Sequence, residues 1–210
     1  LAHCVWLDDA EIQLLADHGV GVAHNPVSNM KLASGAAPIG AMLAKGIAVG
    51  LGTDGEKENN NLDMFEELKT ASLLAKHSNA DAAALDAWSI CRMATIDGAR
   101  ALGMQETIGS LEVGKRADMI ALNTHTPRMT PLITSGQYMN LQHNLVHAAQ
   151  GGDVAMTMVD GRVLVRHGEL LCDDLSETIR AANRAIGPLL ARRDAWIASA
   201  GTAVNELEKS

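Results

Sequence analysis

Aromatic residues are scarce in this chain of 210 residues, where they make up only 2% of the sequence. The ten methionines, together with many alanines and leucines, take their place as core-forming residues. The contents of 47% hydrophobic and 20% charged residues are ordinary for a soluble globular protein. The length predicts one domain or two, with enough chain for a substantial core.

Cysteine is also rare, and its pattern excludes a simple disulfide framework. The three cysteines, Cys4, Cys91 and Cys172, are odd in number and far apart, and none forms a CxxC pair. This usage suits a reducing compartment, so we predict free, buried thiols and a cytoplasmic location.

Long apolar runs and an excess of positive charge are missing as well. No run is long enough to span a bilayer, and no signal-peptide pattern is visible. The formal net charge is −8 and the isoelectric point is near 5.4. This balance argues against nucleic acid or an anionic membrane as the main partner.

The most informative segment is the end of a short apolar stretch that begins at Ile47. It predicts a buried parallel strand over Ile47–Gly52, followed by Asp54 between flexible glycines. Barrel enzymes keep metal ligands and proton acceptors at the carboxyl ends of such strands. The alternative interpretation is an aspartate that only caps the next helix.

His3 occupies an equivalent place on the first predicted strand, Ala2–Leu7. Functional groups at the ends of neighbouring parallel strands converge on one face of a sheet, as the active sites of α/β barrels require. The competing interpretation is a buried histidine satisfied by backbone groups. His3 and Asp54 are therefore our candidate pair.

The remaining histidines favour structural roles. His24 ends the second predicted strand, over 20–24, and we expect its ring to make a structural hydrogen bond. His143 and His147 have the i, i+4 spacing of helical zinc ligands, but no HExxH acid accompanies them, so a structural role is favoured. The acidic loop over 56–58 is predicted to be solvated.

The order of elements predicts βα units followed by a small antiparallel module. We expect a helix from Asp63, which acts as its cap and should tolerate asparagine, to about His77. A helical region over 86–102 breaks near Thr95. The later segments are a strand over 117–122, a hairpin over 154–165 with an Asp-Gly turn, a helix over 175–198, and a poorly ordered polar tail to 210.

Several motifs resemble the amidohydrolase superfamily, in the branch of S-adenosylhomocysteine/5′-methylthioadenosine deaminases and triazine hydrolases. The resemblance covers about residues 1–170. The motifs are Leu1-Ala-His-Cys-Val-Trp6, Ala23-His-Asn-Pro-Val-Ser-Asn-Met-Lys-Leu32, Leu51-Gly-Thr-Asp-Gly55 with Asn60-Asn-Leu-Asp-Met-Phe65, Met93-Ala-Thr-Ile-Asp-Gly-Ala-Arg-Ala-Leu-Gly103 and Ile108-Gly-Ser-Leu-Glu-Val-Gly-Lys-Arg-Ala-Asp-Met-Ile120. Asn144-Leu-Val-His147 resembles a further stretch, although the family often has Asn-His where this chain has His-Asn.

The resemblance implies an α/β fold, with strands six to eight of a (β/α)8 TIM barrel, part of a small β-sandwich and a C-terminal helix. The corresponding divisions are 1–105 for the barrel portion, 106–172 for the sandwich portion with a helical insertion, and 173–210 for the helix and tail. The chain starts inside a predicted strand, so we expect it to be the C-terminal piece of a longer protein. The remaining metal ligands would then lie upstream.

The resemblance also implies a metal-dependent aminohydrolase that attacks an amino-substituted N-heterocycle of purine type with a metal-bound hydroxide. Asp54 would be a metal ligand and proton acceptor, and His3 would orient the hydroxide and stabilise charge. Asn25 and Ser28 would contact the small-molecule substrate. The implied cofactor is one divalent metal, zinc or else iron, and the implied assembly of the full-length protein is a homo-oligomer.

Two alternatives stay open. Triazine chlorohydrolases of this group tend to have asparagine after the ligand aspartate, and Gly55 here favours deamination instead. The acidic residues Glu56 and Glu58 depart from the small residues usual in the deaminases. The second alternative is a non-catalytic scaffold, which the presence of both His3 and Asp54 disfavours.

Overall fold

The computed structural model describes the backbone of residues 1–207 and the side chains of residues 1–199. The first part of the chain contains α1 (Asp9–Asp17), β1 (Val22–His24), α2 (Pro26–Lys31), α3 (Ile39–Ala44), β2 (Val49–Leu51), α4 (Glu56–Asn59) and α5 (Met64–Asn79). The second part contains α6 (Ala87–Met93), α7 (Ile96–Ala101), β3 (Met119–Leu122), α8 (Leu141–His147), β4 (Val154–Val159), β5 (Arg162–Arg166), β6 (Glu169–Leu170) and α9 (Leu175–Leu207).

Three neighbouring segments of the first part run parallel. β1 pairs with β2 in the register Val22↔Val49, and Ala2 forms a parallel bridge with Ala23 on the other side of β1. Carboxyl ends of parallel strands meet at one edge, so the residues that follow these segments lie near one another. Within residues 1–207 these segments do not close a barrel.

The first predicted strand is reduced to that single bridge. His3 and Cys4 adopt left-handed backbone conformations, with φ values of 63° and 50°. This turns the chain away from the extended conformation immediately after Ala2. The prediction of a strand over 2–7 was therefore wrong beyond its first residues.

Local sequence signals explain how the helices begin. Asp8 and Glu11 form a capping box at α1, and Asp63 accepts a hydrogen bond from the amide of Phe65 at the start of α5. The predicted loops after β1 and β2 instead contain the short helices α2 and α4, because Pro26 and Gly55 lie at positions where a helix can start.

The parallel strands pack on apolar residues of α1, α3 and α6. This core contains Ile12, Val22, Met42, Val49 and Met93. A Cβ atom on Gly50 would lie 2.8 Å from the Cα atom of Gly98, so α7 approaches β2 more closely than any side chain would allow.

A second core joins α5, α6 and α8. It contains the single phenylalanine, Phe65, with Leu68, Ile90, Met129 and Val146. The predicted break near Thr95 is confirmed, and Asp97 bonds both Arg92 and Arg100 across it.

The C-terminal part is antiparallel, as predicted. Its strand order is β3-β4-β5-β6, and the turn between β4 and β5 is Asp160-Gly161, with φ values of 50° and 77°. These left-handed values suit the two-residue turn that the sequence predicted.

The last helix, α9, continues beyond the predicted end at 198 to Leu207. The tail prediction therefore fails over 199–207, while residues 208–210 lie outside the described residues. Every side chain over 171–199 is exposed, including those of Ile179, Ile186 and Trp196. None of the described helices is both long and apolar enough to cross a membrane.

Candidate active site at the ends of the parallel segments

The structure brings His3 and Asp54 together. His3 Nε2 lies 3.7 Å from Asp54 Oδ2, and both side chains are partly exposed. Asp54, like His3, has a left-handed backbone, with a φ value of 61°. Such a conformation costs a non-glycine residue about 1 kcal/mol, so the surrounding contacts must hold both residues in place.

Asp54 is held by two hydrogen bonds. The hydroxyl of Ser28 donates to Oδ2 at 2.6 Å, and the backbone amide of Gly55 donates to Oδ1 at 2.8 Å. These bonds, the Ser28 bond most strongly, and the nearby His3 lower the pKa of Asp54. The carboxylate is therefore charged at neutral pH, and 26% of its surface is open to solvent.

His3 is oriented by Asn29, which the sequence analysis did not select. His3 Nδ1 lies 2.8 Å from Asn29 Oδ1, and Asn29 is buried. Because that oxygen can only accept, we assign the proton to Nδ1. Nε2, which faces Asp54, is then free to receive a proton.

The two predicted substrate residues lie beneath the site. Ser28 is fully buried and contacts Asp54. Asn25 is also buried, and with its amide oriented to satisfy its neighbours, Nδ2 donates to the carbonyls of His24 and Gly52. Asn25 thus ties the ends of β1 and β2 together, and its contact with substrate stays a prediction.

Glu67 is the second residue that sequence analysis missed. It is fully buried near the site, and its carboxylate accepts from Asn59 Nδ2 at 2.5 Å and from the Val27 amide at 3.3 Å. Burial raises the pKa of Glu67 to about 7, against the lowering effect of these two bonds. Its burial could have been predicted from the sequence, because Glu67 lies four residues before Ala71 and thus on the buried face of α5.

His24 lies on the same strand end but is buried. Burial, followed by the charge of His3, lowers the pKa of His24 to about 4, so the ring is neutral. Its Nδ1 atom has no hydrogen-bonding partner among the described residues. The expected structural hydrogen bond from this atom is therefore not formed.

His143 and His147 lie on α8, away from His3 and Asp54. Burial lowers the pKa of His147, helped by the charges of His143 and nearby lysines. Across the part of the chain that the structure describes, no three His, Cys, Asp or Glu side chains are grouped to hold a metal ion. The partly exposed, ionised carboxylate of Asp54 fits one ligand position of a divalent cation, and further ligands would have to come from elsewhere.

Comparison with known proteins identifies the family of this chain. The sequence profile of the Amidohydrolase family matches residues 1–164. The chain therefore belongs to the amidohydrolase family and has its α/β fold.

Named relatives narrow the similarity to deaminases. The chain is 48% identical over 194 residues to a 5′-deoxyadenosine deaminase of Methanosarcina acetivorans, covering 92% of this chain and 43% of that protein. It is 47% identical over 189 residues to a 5-methylthioadenosine/S-adenosylhomocysteine deaminase of Desulforudis audaxviator, covering 90% and 43%. The chain thus spans less than half the length of these relatives.

Two solved structures, a deaminase and a chlorohydrolase, are similar to this chain over most of its length. An adenosine deaminase from Xanthomonas campestris with bound zinc superposes with a TM-score of 0.81 at 39% identity, over 87% of this chain and 40% of that one. An atrazine chlorohydrolase from Arthrobacter aurescens, complexed with zinc, gives a TM-score of 0.77 at 29% identity, over 88% and 40%.

Proposed function

We propose that the full-length protein is a metal-dependent deaminase that removes the amino group of a purine nucleoside such as S-adenosylhomocysteine, 5′-methylthioadenosine or 5′-deoxyadenosine. The observation that carries this proposal is the convergence of His3 and Ser28 on the ionised carboxylate of Asp54. The deaminase relatives, at up to 51% identity, support the substrate class.

Asp54 is the residue for which we propose two duties, as a metal ligand and as a proton acceptor. Its carboxylate keeps its charge because Ser28 and Gly55 donate to it. A bound divalent cation lowers the pKa of a coordinated water towards neutrality. Asp54 would take the proton that this water releases and pass it to the departing amine as ammonia.

His3 would orient the attacking hydroxide and stabilise the charge that develops on the reacting ring. With its Nδ1 proton donated to Asn29, its Nε2 atom can accept and return a proton beside Asp54. Ser28 and Asn25 would shape the floor of the site. Zinc is the metal we propose, with iron as the alternative, because the two solved relatives described above contain zinc.

We further infer the place of the site in the larger fold. The segments that end at His3, at His24 and near Asp54 would be strands six to eight of a (β/α)8 barrel. The divisions 1–105, 106–172 and 173–210 would be the barrel portion, the sandwich portion with α8 inserted, and the terminal helix. We also propose that the full-length protein is a homo-oligomer in the cytoplasm and that neither nucleic acid nor a membrane is its partner.

The function is tested by measuring ammonia release from the full-length, zinc-loaded protein. We expect turnover of at least one of the three adenosine-type substrates, with the 260-nm band shifting as adenine becomes hypoxanthine. Chloride release from atrazine is the rival result, and it would assign the protein to the triazine hydrolases. If neither ammonia nor chloride is released, the result would favour the non-catalytic scaffold.

A further inference from the structure

Glu67 is part of a closed ring of contacts that contains the candidate site. One oxygen, Oε2, accepts from the amide of Val27, the residue before Ser28. The other, Oε1, accepts from Asn59 Nδ2, which also donates to the carbonyl of Thr53 at 2.7 Å. Thr53 is the residue before Asp54.

The ring is completed by the site itself, where the Ser28 hydroxyl donates to Asp54 Oδ2 at 2.6 Å. Val27 and Ser28 lie on α2, after β1, while Thr53 and Asp54 follow β2. The carboxyl group of Glu67 on α5 therefore bonds Val27 directly and is connected to Thr53 through Asn59. Any shift of Glu67 would move Ser28 relative to Asp54.

A buried carboxyl group is an expensive way to fill this position. Removing a carboxylate from water costs free energy that its hydrogen bonds only partly return, and an apolar side chain of similar size would pack at lower cost. Neighbours of Glu67 on α5, such as Leu68 and Ala71, are apolar and buried. The acidic group at this one position thus contributes hydrogen bonds in fixed directions rather than core volume.

We propose that Glu67 is a positioning residue, which sets the separation of Ser28 and Asp54 through Val27 and Asn59. The proposal rests on the proposed deaminase function, because it assigns Glu67 to the same site. Glu67 acts without touching Asp54: it aligns the carboxylate that accepts the proton.

The test compares four full-length, zinc-loaded proteins: wild type, Glu67→Gln, Ser28→Ala and the double variant. Glutamine keeps the size of the side chain and can still accept from Asn59, but its amide group would oppose the donor of Val27. We expect kcat to fall about 10- to 100-fold in Glu67→Gln, with KM changed less than about threefold, as for a small misplacement of a reacting group.

The double variant separates positioning from general support of the fold. If Glu67 acts through Ser28, the double variant should have the kcat of the slower single variant within about threefold, because residues acting as one unit are not additive. Glu66→Gln is the matched control. Its exposed carboxylate bonds Asn61 rather than the ring, and its kcat should equal that of wild type.

Each result either supports or contradicts the positioning role of Glu67. Wild-type kcat in Glu67→Gln, or losses that multiply in the double variant, would overturn the positioning role while wild-type deamination preserves the proposed function. A wild type that deaminates none of the substrates would overturn both. Should Glu67→Gln fail to fold, Asn59→Ala removes the bonds of Asn59 to Thr53 and to Glu67 and leaves the Val27 bond in place. It should show the same fall in kcat and the same lack of additivity with Ser28→Ala.

Discussion

Asp63 joins two parts of the chain that are far apart in sequence. One carboxylate oxygen accepts from the amide of Phe65 and caps α5, while the other accepts from the amide of Gly151 at 2.9 Å. The sequence predicted only the first of these bonds. The second fastens the segment before β4 to the start of α5.

Asp63→Asn should therefore destabilise the protein, contrary to the expectation from capping alone. Asparagine keeps the cap, but its amide group would face the amide of Gly151, and the loss of this solvent-exposed hydrogen bond costs about 1 kcal/mol. Asp86→Asn is the control, because the hydroxyl of Ser89 can turn to accept from the new amide. Urea unfolding should show a larger loss for Asp63→Asn than for Asp86→Asn, and equal losses would contradict the bridging role.

The elements α5 and β1 each bury one ionisable side chain whose pKa is shifted from its usual value. Burial raises the pKa of Glu67 from 4.5 to about 7, and Glu66 and Asp54 add to this rise. Burial lowers the pKa of His24 from 6.5 to about 4. Between pH 7 and pH 5 the two groups therefore change the free energy of unfolding in opposite directions.

The direction of each change in the free energy of unfolding follows from which state, folded or unfolded, takes up the proton. As pH falls from 7 to 5, Glu67 takes up a proton in the folded protein while the unfolded chain stays ionised, which stabilises the fold by about 2 kcal/mol. Over the same interval the unfolded chain protonates His24 while the folded protein does not, which destabilises the fold by about 2 kcal/mol. The two contributions offset one another in the wild type.

Single variants should reveal these slopes in thermal or urea unfolding. Relative to wild type, Glu67→Gln should lose stability as the pH is lowered from 7 to 5, and His24→Asn should gain it. Parallel pH profiles for all three proteins would show that neither group titrates as described. Profiles displaced in the opposite sense would contradict the burial of these side chains as the cause.

The sequence predicted the elements that depend on local signals. The helix after Asp63, the break near Thr95 and the Asp-Gly hairpin each depend on residues adjacent in the chain. The positive φ of His3, the bond of Glu67 to Val27 and the bond from Gly151 to Asp63 depend on contacts between distant segments. Periodicity and capping rules carry no information about such contacts.

The candidate site likewise combines residues that the sequence indicates with residues that only the fold brings together. Its outer residues, His3 and Asp54, follow from strand ends and from the family resemblance. Asn29 lies within the quoted motif over 23–32, but nothing in that motif indicates its contact with His3. Asn59 and Glu67 lie outside the quoted motifs, and folding of α4 and α5 around the strand ends brings them to the site.

Among the residues that the structure describes, no three potential metal ligands are grouped, which limits what the chain can do alone. Asp54 is its candidate ligand, and a catalytic zinc site needs about three protein ligands. We expect the purified chain, dialysed against excess zinc, to retain far less than one equivalent by elemental analysis. Stoichiometric, tightly held zinc would show that the chain contains a complete site and that our ligand assignment is wrong.

The proton-transfer role of Asp54 is tested by the turnover of Asp54→Asn in the full-length protein at full zinc occupancy. Asparagine keeps the size of the side chain and one weak oxygen ligand but can no longer carry a negative charge or accept the proton. Zinc affinity should fall, and with zinc restored by excess metal, kcat should remain about 10²- to 10⁴-fold below wild type. Asp9→Asn, on the exposed first turn of α1, should deaminate like wild type. A zinc-replete Asp54→Asn protein with near wild-type turnover would contradict the proton-transfer role and leave Asp54 as a ligand at most.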